Sequence, residues 1–319
     1  MLKITSTLLR FATMCSCAVP IFTVSAQQLS DNIIPETSVA QQPSQLVQGK
    51  QWMIASANHY ASEAGAAMLR RGGNAIDAMV ATQLVLGLVE PQSSGIGGGG
   101  FLVYWDNDNH QMTTFDGRET APFAVTPRLF QDKNGQPLAF YDAVVGGRSV
   151  GTPGTIKLLW NSHHQYGKLK WKQLFQPAIK LAKNGFIVSP RLAALVAKDA
   201  PHLQRWPVTK NYFFDPQGQP IQAGQKLINQ PYADTLRKIA DYGPKAFYQG
   251  DIAREIVNTV QNAVGNPGVL SSIDLASYKV KQRAPICAPY HQYQICGMGP
   301  PSSGAVTLGQ IMAMLKHYP

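Results

Sequence analysis

Hydrophobic and small residues recur at helical spacing in two neighbouring segments, residues 60–71 and 75–89. The sequence GGN at residues 72–74 separates them, and Asn74 is suited to cap the second helix, with Asp77 in its first turn. Asp77 is the only charged residue of that segment, which is apolar around most of its circumference. We therefore expect the second helix to lie between layers of the structure.

Alternating patterns predict strands after these helices. The segments FLVYWD (101–106) and QMTTFDG (111–117) flank a polar turn, and WMIASAN (52–58) predicts a short strand before the first helix. Since helices and strands are interspersed, the pattern predicts an α/β fold with a sheet covered by helices. Further helices are predicted at residues 155–166, 172–184, 190–200, 232–242 and 252–264.

A hairpin is predicted near the end of the sequence, in APICAPYHQYQICG. A two-residue loop at residues 291–292 would place Cys287 opposite Cys296, with this pair and Pro289 at non-hydrogen-bonded positions. Proline needs no donor there, and the two sulfurs can meet. Two buried free thiols are the alternative in a reducing compartment. We expect a disulfide, because an oxidising compartment favours the bond.

The first 26 residues have the composition of a secretory signal. They contain Lys3, Arg10 and no acid, then an apolar stretch interrupted by Pro20, then the small-residue site VSA. We expect residues 1–26 to be cleaved, residues 27–50 to form a flexible leader and residues 51–319 to form the domain. The protein would then be periplasmic or secreted, without stable membrane insertion. An uncleaved anchor is the alternative, and Cys17 raises a weaker lipoprotein possibility.

Charge and histidine spacing exclude some partners. Removal of the signal changes the formal net charge from +10 to +8, and a basic surface can attract anionic substrates or an acidic partner. The densest basic run, KLKWK at residues 168–172, fits the solvated first turns of a helix, so no nucleic acid is expected. The seven histidines show no metal-ligand spacing, so neither a metal nor an organic cofactor is expected.

A glycine-rich stretch, SSGIGGGGF at residues 93–101, matches G-x-G-x-x-G. A dinucleotide fingerprint requires a strand before the glycines and a helix after them, so that the helix N-terminus meets the pyrophosphate. Here a predicted helix precedes the glycines and a strand follows, and no helix N-terminus is expected at the loop. The sequence therefore predicts a close backbone approach at the start of a central strand, which could form one wall of a cleft.

Several long segments carry a family resemblance. They are NHYASEAGAAMLRRGGNAIDAMVATQLVLGLVEPQSSGIGGGGFLVYW, FDGRETAP, RSVGTPGTIKLLWNSHHQYGKLKWKQLFQPAIKLAKNGFIVSPRL and PPSSGAVTLGQIM. In this order they resemble the γ-glutamyltranspeptidases, also called glutathione hydrolases, over essentially all of residues 51–319. The resemblance implies an N-terminal-nucleophile hydrolase fold, a four-layer αββα sandwich that this chain would leave incomplete. It also implies a proenzyme that cuts itself into a large and a small subunit.

The resemblance assigns one substrate contact. The family stretch D-x-R-E-x-A-P is here Asp116, Arg118, Glu119, Ala121 and Pro122. Its arginine holds the α-carboxylate of the γ-glutamyl group, which implies that role for Arg118, and a guanidinium fork matches a carboxylate. Without the resemblance, Arg118 beside Glu119 would be interpreted as a surface ion pair. Asp116 and Glu119 are expected to orient the loop and the arginine.

The family's nucleophile is a threonine in a T-T-H-like motif that begins the small subunit. No such motif occurs in these 319 residues. Thr113 and Thr114 lie in a predicted strand, and Ser302 and Ser303 are expected in a structured turn, not as the family's oxyanion serines. We therefore expect no catalytic residue in this chain, which alone would be inactive, with open sheet edges and exposed apolar faces.

Three interpretations follow from this departure. The first is an incomplete glutathione hydrolase zymogen, which cleaves the γ-glutamyl amide of glutathione and related compounds and transfers the group to water or amino acids. The second is a related amide hydrolase such as a cephalosporin acylase. The third is a non-catalytic secreted protein that binds γ-glutamyl compounds or pairs with a separately encoded small subunit. We favour the first, with a small catalytic subunit from the same precursor or a separate chain as partner.

Overall fold

A computed structural model describes residues 46–316 and 318, which all belong to one unit, Val39–Pro319. The predicted signal at residues 1–26 and most of the predicted leader at residues 27–50 lie outside the described residues. The last part of that leader, residues 46–50, is exposed and contains no helix or strand. None of the described helices is long and apolar enough to cross a membrane.

Most of the regular secondary structure of the described residues is helical, with short antiparallel strands between the helices. The helices are α1 His59–Arg70, α2 Ala75–Val89, α3 Phe140–Val144, α4 Thr155–Tyr166, α5 Trp171–Leu174, α6 Gln176–Asn184, α7 Pro190–Lys198, α8 Ala200–Leu203, α9 Pro207–Phe213, α10 Gln230–Tyr242, α11 Lys245–Tyr248, α12 Asp251–Gln261, α13 Ser272–Ser277 and α14 Gly304–Leu315. The strands are β1 Gly100–Asp106, β2 Gln111–Gly117, β3 Phe186–Ile187, β4 Lys226–Leu227, β5 Lys281–Arg283, β6 Ile286–Tyr290 and β7 Tyr293–Gly297.

Three of the strands form the largest sheet of the described residues, in the order β1-β2-β5. Both pairings are antiparallel, and Asp116 of β2 lies opposite Phe101 on one side and Lys281 on the other. The remaining strands pair as β3 with β4 and β6 with β7. The central strand β2 therefore brings the D-x-R-E stretch to one end of the sheet.

Helix α2 lies inside the molecule, as its apolar circumference predicts. Its side chains are buried on several faces, and the fully buried Leu84 belongs to the main hydrophobic core. The Asn74 side chain accepts hydrogen bonds from the first turn, while Asp77 accepts one from the Asn74 backbone. The buried Asp77 carboxylate also accepts the N–H groups of Lys168 and Leu169, and this satisfies a charge that would otherwise be costly to bury.

The prediction of a strand at residues 52–58 is wrong. This segment is irregular, and Trp52 and Met53 are exposed. Its end serves α1 instead, because the Asn58 side chain accepts the N–H of Tyr60 as an N-cap. A strand requires a neighbour to pair with, and the described residues place none beside this segment.

The predicted helix at residues 172–184 is divided in two, as α5 and α6. Pro177 lies in the first turn of α6, and since proline lacks an N–H and its ring clashes with the carbonyl four residues earlier, the helix breaks just before it. The predicted helix at residues 190–200 is confirmed as α7, which ends at Lys198, and the short α8 follows with Pro201 in its first turn.

The hairpin of β6 and β7 has the predicted register, with Cys287 opposite Cys296 and Pro289 opposite Gln294. The two cysteine sulfurs are bonded as a disulfide, with their Cα atoms 4.1 Å apart. Helix α14 packs on this hairpin, and a Cβ added at Gly309 would lie only 3.3 Å from Ala288 Cβ. The hairpin and α14 thus form one packed unit.

Apolar side chains are exposed on two elements, as expected. On the edge strand β1, Val103 and Trp105 are 44% and 50% exposed. On α14, Ile311 and Met314 are exposed in the same way, and no residue of that helix is buried among the described residues. Exposed apolar faces of this kind are typical of interaction surfaces and of aggregation-prone edges.

Asp274 links α13 to the segment that follows the D-x-R-E stretch. Its Oδ2 accepts from the N–H and Oγ of Ser271, and its Oδ1 accepts from the N–H of Phe123 at 2.7 Å. Burial alone would raise the pKa of Asp274, but the hydrogen bonds from Ser271 and Phe123 outweigh it and lower that pKa below the usual 3.8.

We expect Asp274→Asn to lower the free energy of unfolding by about 1–2 kcal/mol at neutral pH. Because the folded-state pKa is depressed, the contribution of the carboxylate is full above the ordinary pKa of 3.8 and is lost as the pH falls through the lower folded value. Urea unfolding at several pH values should therefore show the gap between the two proteins closing in acid. The exposed Asp251→Asn variant is the control, and a gap that is constant with pH would contradict the assignment.

Candidate functional site

The glycine-rich stretch packs directly against the C-terminal end of β2. A Cβ at Gly99 would lie 2.6 Å from Gly117 O and 2.8 Å from Glu119 N, closer than a real side chain can approach. The backbone of residues 95–100 has no positive φ. The predicted close approach is therefore confirmed, and it is close packing, not an unusual backbone angle, that requires glycine here.

The N-terminus of α4 meets this stretch, contrary to the expectation that no helix N-terminus would. Gly98 O accepts from Gly154 N at 2.8 Å and from Thr155 N at 3.1 Å, and the Thr155 hydroxyl donates to Gly95 O at 3.0 Å. The elements next to the glycines in the chain give no sign of this contact, because α4 begins more than fifty residues later. These two amides are both occupied by the Gly98 carbonyl and are not available to a phosphate.

Arg118 follows directly after β2, with its side chain 61% exposed. Its Nε lies 3.1 Å from Glu119 Oε2, so the surface ion pair that the sequence alone suggests is present. Nη1 and Nη2 make no hydrogen bond or ion pair with any described residue. The guanidinium therefore keeps one two-nitrogen edge for a ligand while Glu119 holds the side chain at Nε.

The backbone of Arg118 is held from both sides. Asp116 Oδ1 accepts from Arg118 N at 3.1 Å, and the hydroxyl of Tyr278 donates to Arg118 O at 2.8 Å. Burial raises the pKa of Tyr278 above its ordinary value, and the charges of Asp116 and Glu119 add to this rise. The phenol therefore keeps its proton at neutral pH and can donate.

An ion pair between Arg283 and the buried Asp116 supports this arrangement. Both Nε and Nη2 of Arg283 lie 2.9 Å from Asp116 Oδ2. Asp116 is 7% exposed, so its charge needs a partner inside the protein. Arg283 supplies that partner and leaves Asp116 Oδ1 to accept from the Arg118 backbone.

Arg118 lies at the edge of a cleft of about 440 Å³. Residues 118–121 form one wall and residues 149–151 the other, with Gly97 of the glycine-rich stretch beside them. Thr120 and Thr152 exchange backbone hydrogen bonds of 3.3 and 2.8 Å, which hold the two walls together. The volume is that of a small-molecule site, and the unpaired guanidinium edge gives it a positive group.

Asp116, Arg118 and Glu119 are predicted from the sequence, whereas Arg283 and Tyr278 are not. The structure brings all five to one place. β5 contains Arg283 and has only three residues, too few for a pattern to predict, and Arg283 is 167 residues from Asp116 along the chain. No local signal pairs two residues at that separation.

The remaining candidate groups do not line this cleft. Thr114 is buried in β2, as predicted, and its hydroxyl donates to Arg283 O at 2.7 Å. Ser302 N donates to Gly299 O, which closes the turn expected before α14. Within residues 46–316 and 318, no group of three or more His, Cys, Asp or Glu side chains could hold a metal ion.

Comparison with known proteins gives a consistent family. The sequence model of γ-glutamyltranspeptidase matches residues 61–319. The chain is 40% identical over 270 residues to the glutathione hydrolase proenzyme of Bacillus subtilis (strain 168), and the matched region is 85% of this chain and 45% of that protein. It is 36% identical over 273 residues to the Escherichia coli (strain K12) glutathione hydrolase proenzyme, and this region is 85% of this chain and 46% of that protein. The chain thus spans less than half of the length of these curated relatives.

Solved structures have the same fold. The γ-glutamyltranspeptidase of Helicobacter pylori superposes with a TM-score of 0.82 and 36% identity, over 86% of this chain and 77% of that one. The cephalosporin acylase of Bacillus halodurans gives a TM-score of 0.71 at 27% identity, over 86% and 53%. The expected α/β fold of the N-terminal-nucleophile hydrolases is therefore confirmed. With a family match over most of its length, the chain belongs to the γ-glutamyltranspeptidase family.

Proposed function

We propose that this chain is the large-subunit part of a glutathione hydrolase, or γ-glutamyltransferase, and that Arg118 holds the α-carboxylate of the γ-glutamyl group. The main observation behind the proposal is the pattern of contacts that the Arg118 side chain and backbone make. Its Nε is engaged by Glu119, its backbone is fixed on both sides, and its Nη1 and Nη2 have no partner among the described residues. This geometry suits a carboxylate bound by two parallel charge-assisted hydrogen bonds.

In this proposal the chain positions the substrate and does not break the bond. Arg118 anchors the α-carboxylate, and Asp116 and Glu119 orient the arginine without touching the ligand. Arg283 and Tyr278 keep its backbone in place. Such anchoring contributes to the rate by holding the γ-carbonyl where the nucleophile can reach it.

The bond-breaking groups come from outside these residues, since no Thr-Thr-His sequence occurs among the 319. The hydroxyl of a threonine at the N-terminus of a small subunit attacks the γ-carbonyl, and its own amine takes the hydroxyl proton. Backbone amides stabilise the oxyanion, and the leaving amine departs with a proton. Water or an amino acid then releases the γ-glutamyl group from the threonine oxygen.

The same proposal covers processing and location. Residues 1–26 act as a secretory signal, residues 27–50 as a leader and residues 51–319 as the enzyme domain. The product would be a periplasmic or secreted zymogen whose partner is the small subunit, from the same precursor or a separate chain. The disulfide between Cys287 and Cys296 supports an oxidising location.

The alternatives receive less support. An acylase proenzyme of Pseudomonas sp. (strain V22) is among the relatives, at 35% identity, while several glutathione hydrolases reach 36–40%. No contact of the described residues favours a cephalosporin side chain or a non-catalytic binding role over a γ-glutamyl group.

We expect Arg118→Lys to keep the charge but lose the two-nitrogen edge. In the enzyme assembled with its small subunit, kcat/KM for a γ-glutamyl anilide should fall by about 10- to 100-fold, equivalent to about 1.5–3 kcal/mol. The control is Arg254→Lys, since Arg254 pairs only with Asp251 on the surface. An unchanged kcat/KM in Arg118→Lys would end the assignment.

Arg283 is expected to act through Asp116 as a positioning residue. Arg283→Met should raise KM about tenfold with a smaller effect on kcat, because the Arg118 backbone loses its fixed position. Arg283→Lys should restore part of the affinity, since an ammonium can still pair with Asp116. If both variants lower the melting temperature equally but leave KM unchanged, Arg283 is only structural.

We expect purified residues 27–319 alone to release no chromogenic amine from a γ-glutamyl anilide. The reason is that they provide the carboxylate anchor without a nucleophile. A complete relative, the Bacillus subtilis glutathione hydrolase, is the positive control. Turnover by the isolated chain would show that the nucleophile lies within these residues.

A further inference from the structure

A second cleft of about 730 Å³ shares no lining residue with the cleft around Arg118. It lies between α3, the corner that joins α8 to α9, and the turn after α12. Arg148 and Asn266 form part of its floor, and Arg205 and Trp206 of the α8–α9 corner form part of its wall.

The guanidinium of Arg148 is fixed by neutral groups. Its Nε donates to Asn266 Oδ1 and its Nη1 donates to Leu129 O, both at 2.6 Å. No carboxylate oxygen of the described residues lies within 4.0 Å of it, and its Nη2 has no hydrogen-bond partner among them. The side chain is half-buried, so its positive charge is held in place without compensation, and an anion is favoured there.

Asn266 makes the floor rigid. This buried residue donates from Nδ2 to Val145 O at 2.9 Å. Its backbone carbonyl accepts from Gly147 N at 2.7 Å and from Arg148 N at 3.2 Å. The backbone and the guanidinium of Arg148 are therefore both set before any ligand arrives, which reduces the entropy that binding must remove.

The opposite wall adds a second cation and an apolar surface. Arg205 is exposed, and its guanidinium makes no hydrogen bond or ion pair with the described residues. Trp206, Val145 and Val264 supply apolar lining. The lining contains two arginines, Arg148 and Arg205, and a single acid, Asp142, so it has an excess of one positive charge. Asp142 lies more than 4.0 Å from either guanidinium.

We propose that this cleft binds an organic monoanion, a carboxylate carried on an apolar group, with the carboxylate at Arg148 and Arg205 and the apolar part against Trp206. A single excess charge matches a carboxylate better than a phosphate dianion. The mixed lining of apolar side chains and a few fixed polar groups is that of a small-molecule site.

The test measures the affinity of the full chain for three probes by calorimetric titration. Phenylacetate has the charge and the ring, phenylacetamide has the ring without the charge, and acetate has the charge without the ring. We expect phenylacetate to bind at least about tenfold more tightly than either of the others, with an affinity that falls as salt is added. Equal affinity for phenylacetate and phenylacetamide, or no saturable binding of phenylacetate, would overturn the proposal.

Variants locate the binding. Arg205→Met, which breaks no contact of the described residues, should raise the Kd of phenylacetate about fivefold. The matched variants Arg71→Met, on the exposed end of α1, and Arg118→Met, in the other cleft, should leave that Kd unchanged. Trp206→Ala should weaken phenylacetate but not acetate. A Kd that responds to Arg118→Met and not to Arg205→Met places the probe in the other cleft and rejects this one.

Discussion

The ion pair between Asp116 and Arg283 is the interaction on which the candidate site depends. A carboxylate buried to this degree is tolerated only if its charge is matched, and the two nitrogens of Arg283 at 2.9 Å match it. With Oδ2 satisfied in this way, Oδ1 accepts the Arg118 N–H. The exposed side chain of Arg118 therefore projects from a backbone that is fixed by the buried Asp116 and Tyr278.

At the same point of the fold, three segments approach one another closely. The end of β2 lies between the glycine-rich stretch and the start of α4, and a Cβ at Gly154 would lie 2.0 Å from Gly117 O. Side chains at these contacts would push the layers apart. The glycines thus serve the geometry of the arginine indirectly, because they let α4 and the loop before β1 pack against the strand that carries it.

Much of the local structure could be predicted from the sequence, because the residues that determine each element lie within or beside it. Helix α2 has a capping pair, Asn74 and Asp77, and α4 begins and ends at glycines, so their bounds were predictable. The hairpin register followed from Pro289 and the two cysteines. The break before Pro177 was missed although its signal is present in the sequence. By contrast, the partnership of Asp116, Arg283 and Tyr278 joins distant segments, and no pattern within a segment contains it.

The central claim is that the two terminal nitrogens of Arg118 bind the α-carboxylate of a γ-glutamyl group. A crystal structure of this chain assembled with the proposed small subunit, determined with bound glutamate, tests it most directly. We predict that the α-carboxylate lies between Nη1 and Nη2, with Glu119 still at Nε. Glutamate bound elsewhere, with the Arg118 side chain turned to solvent, would contradict it.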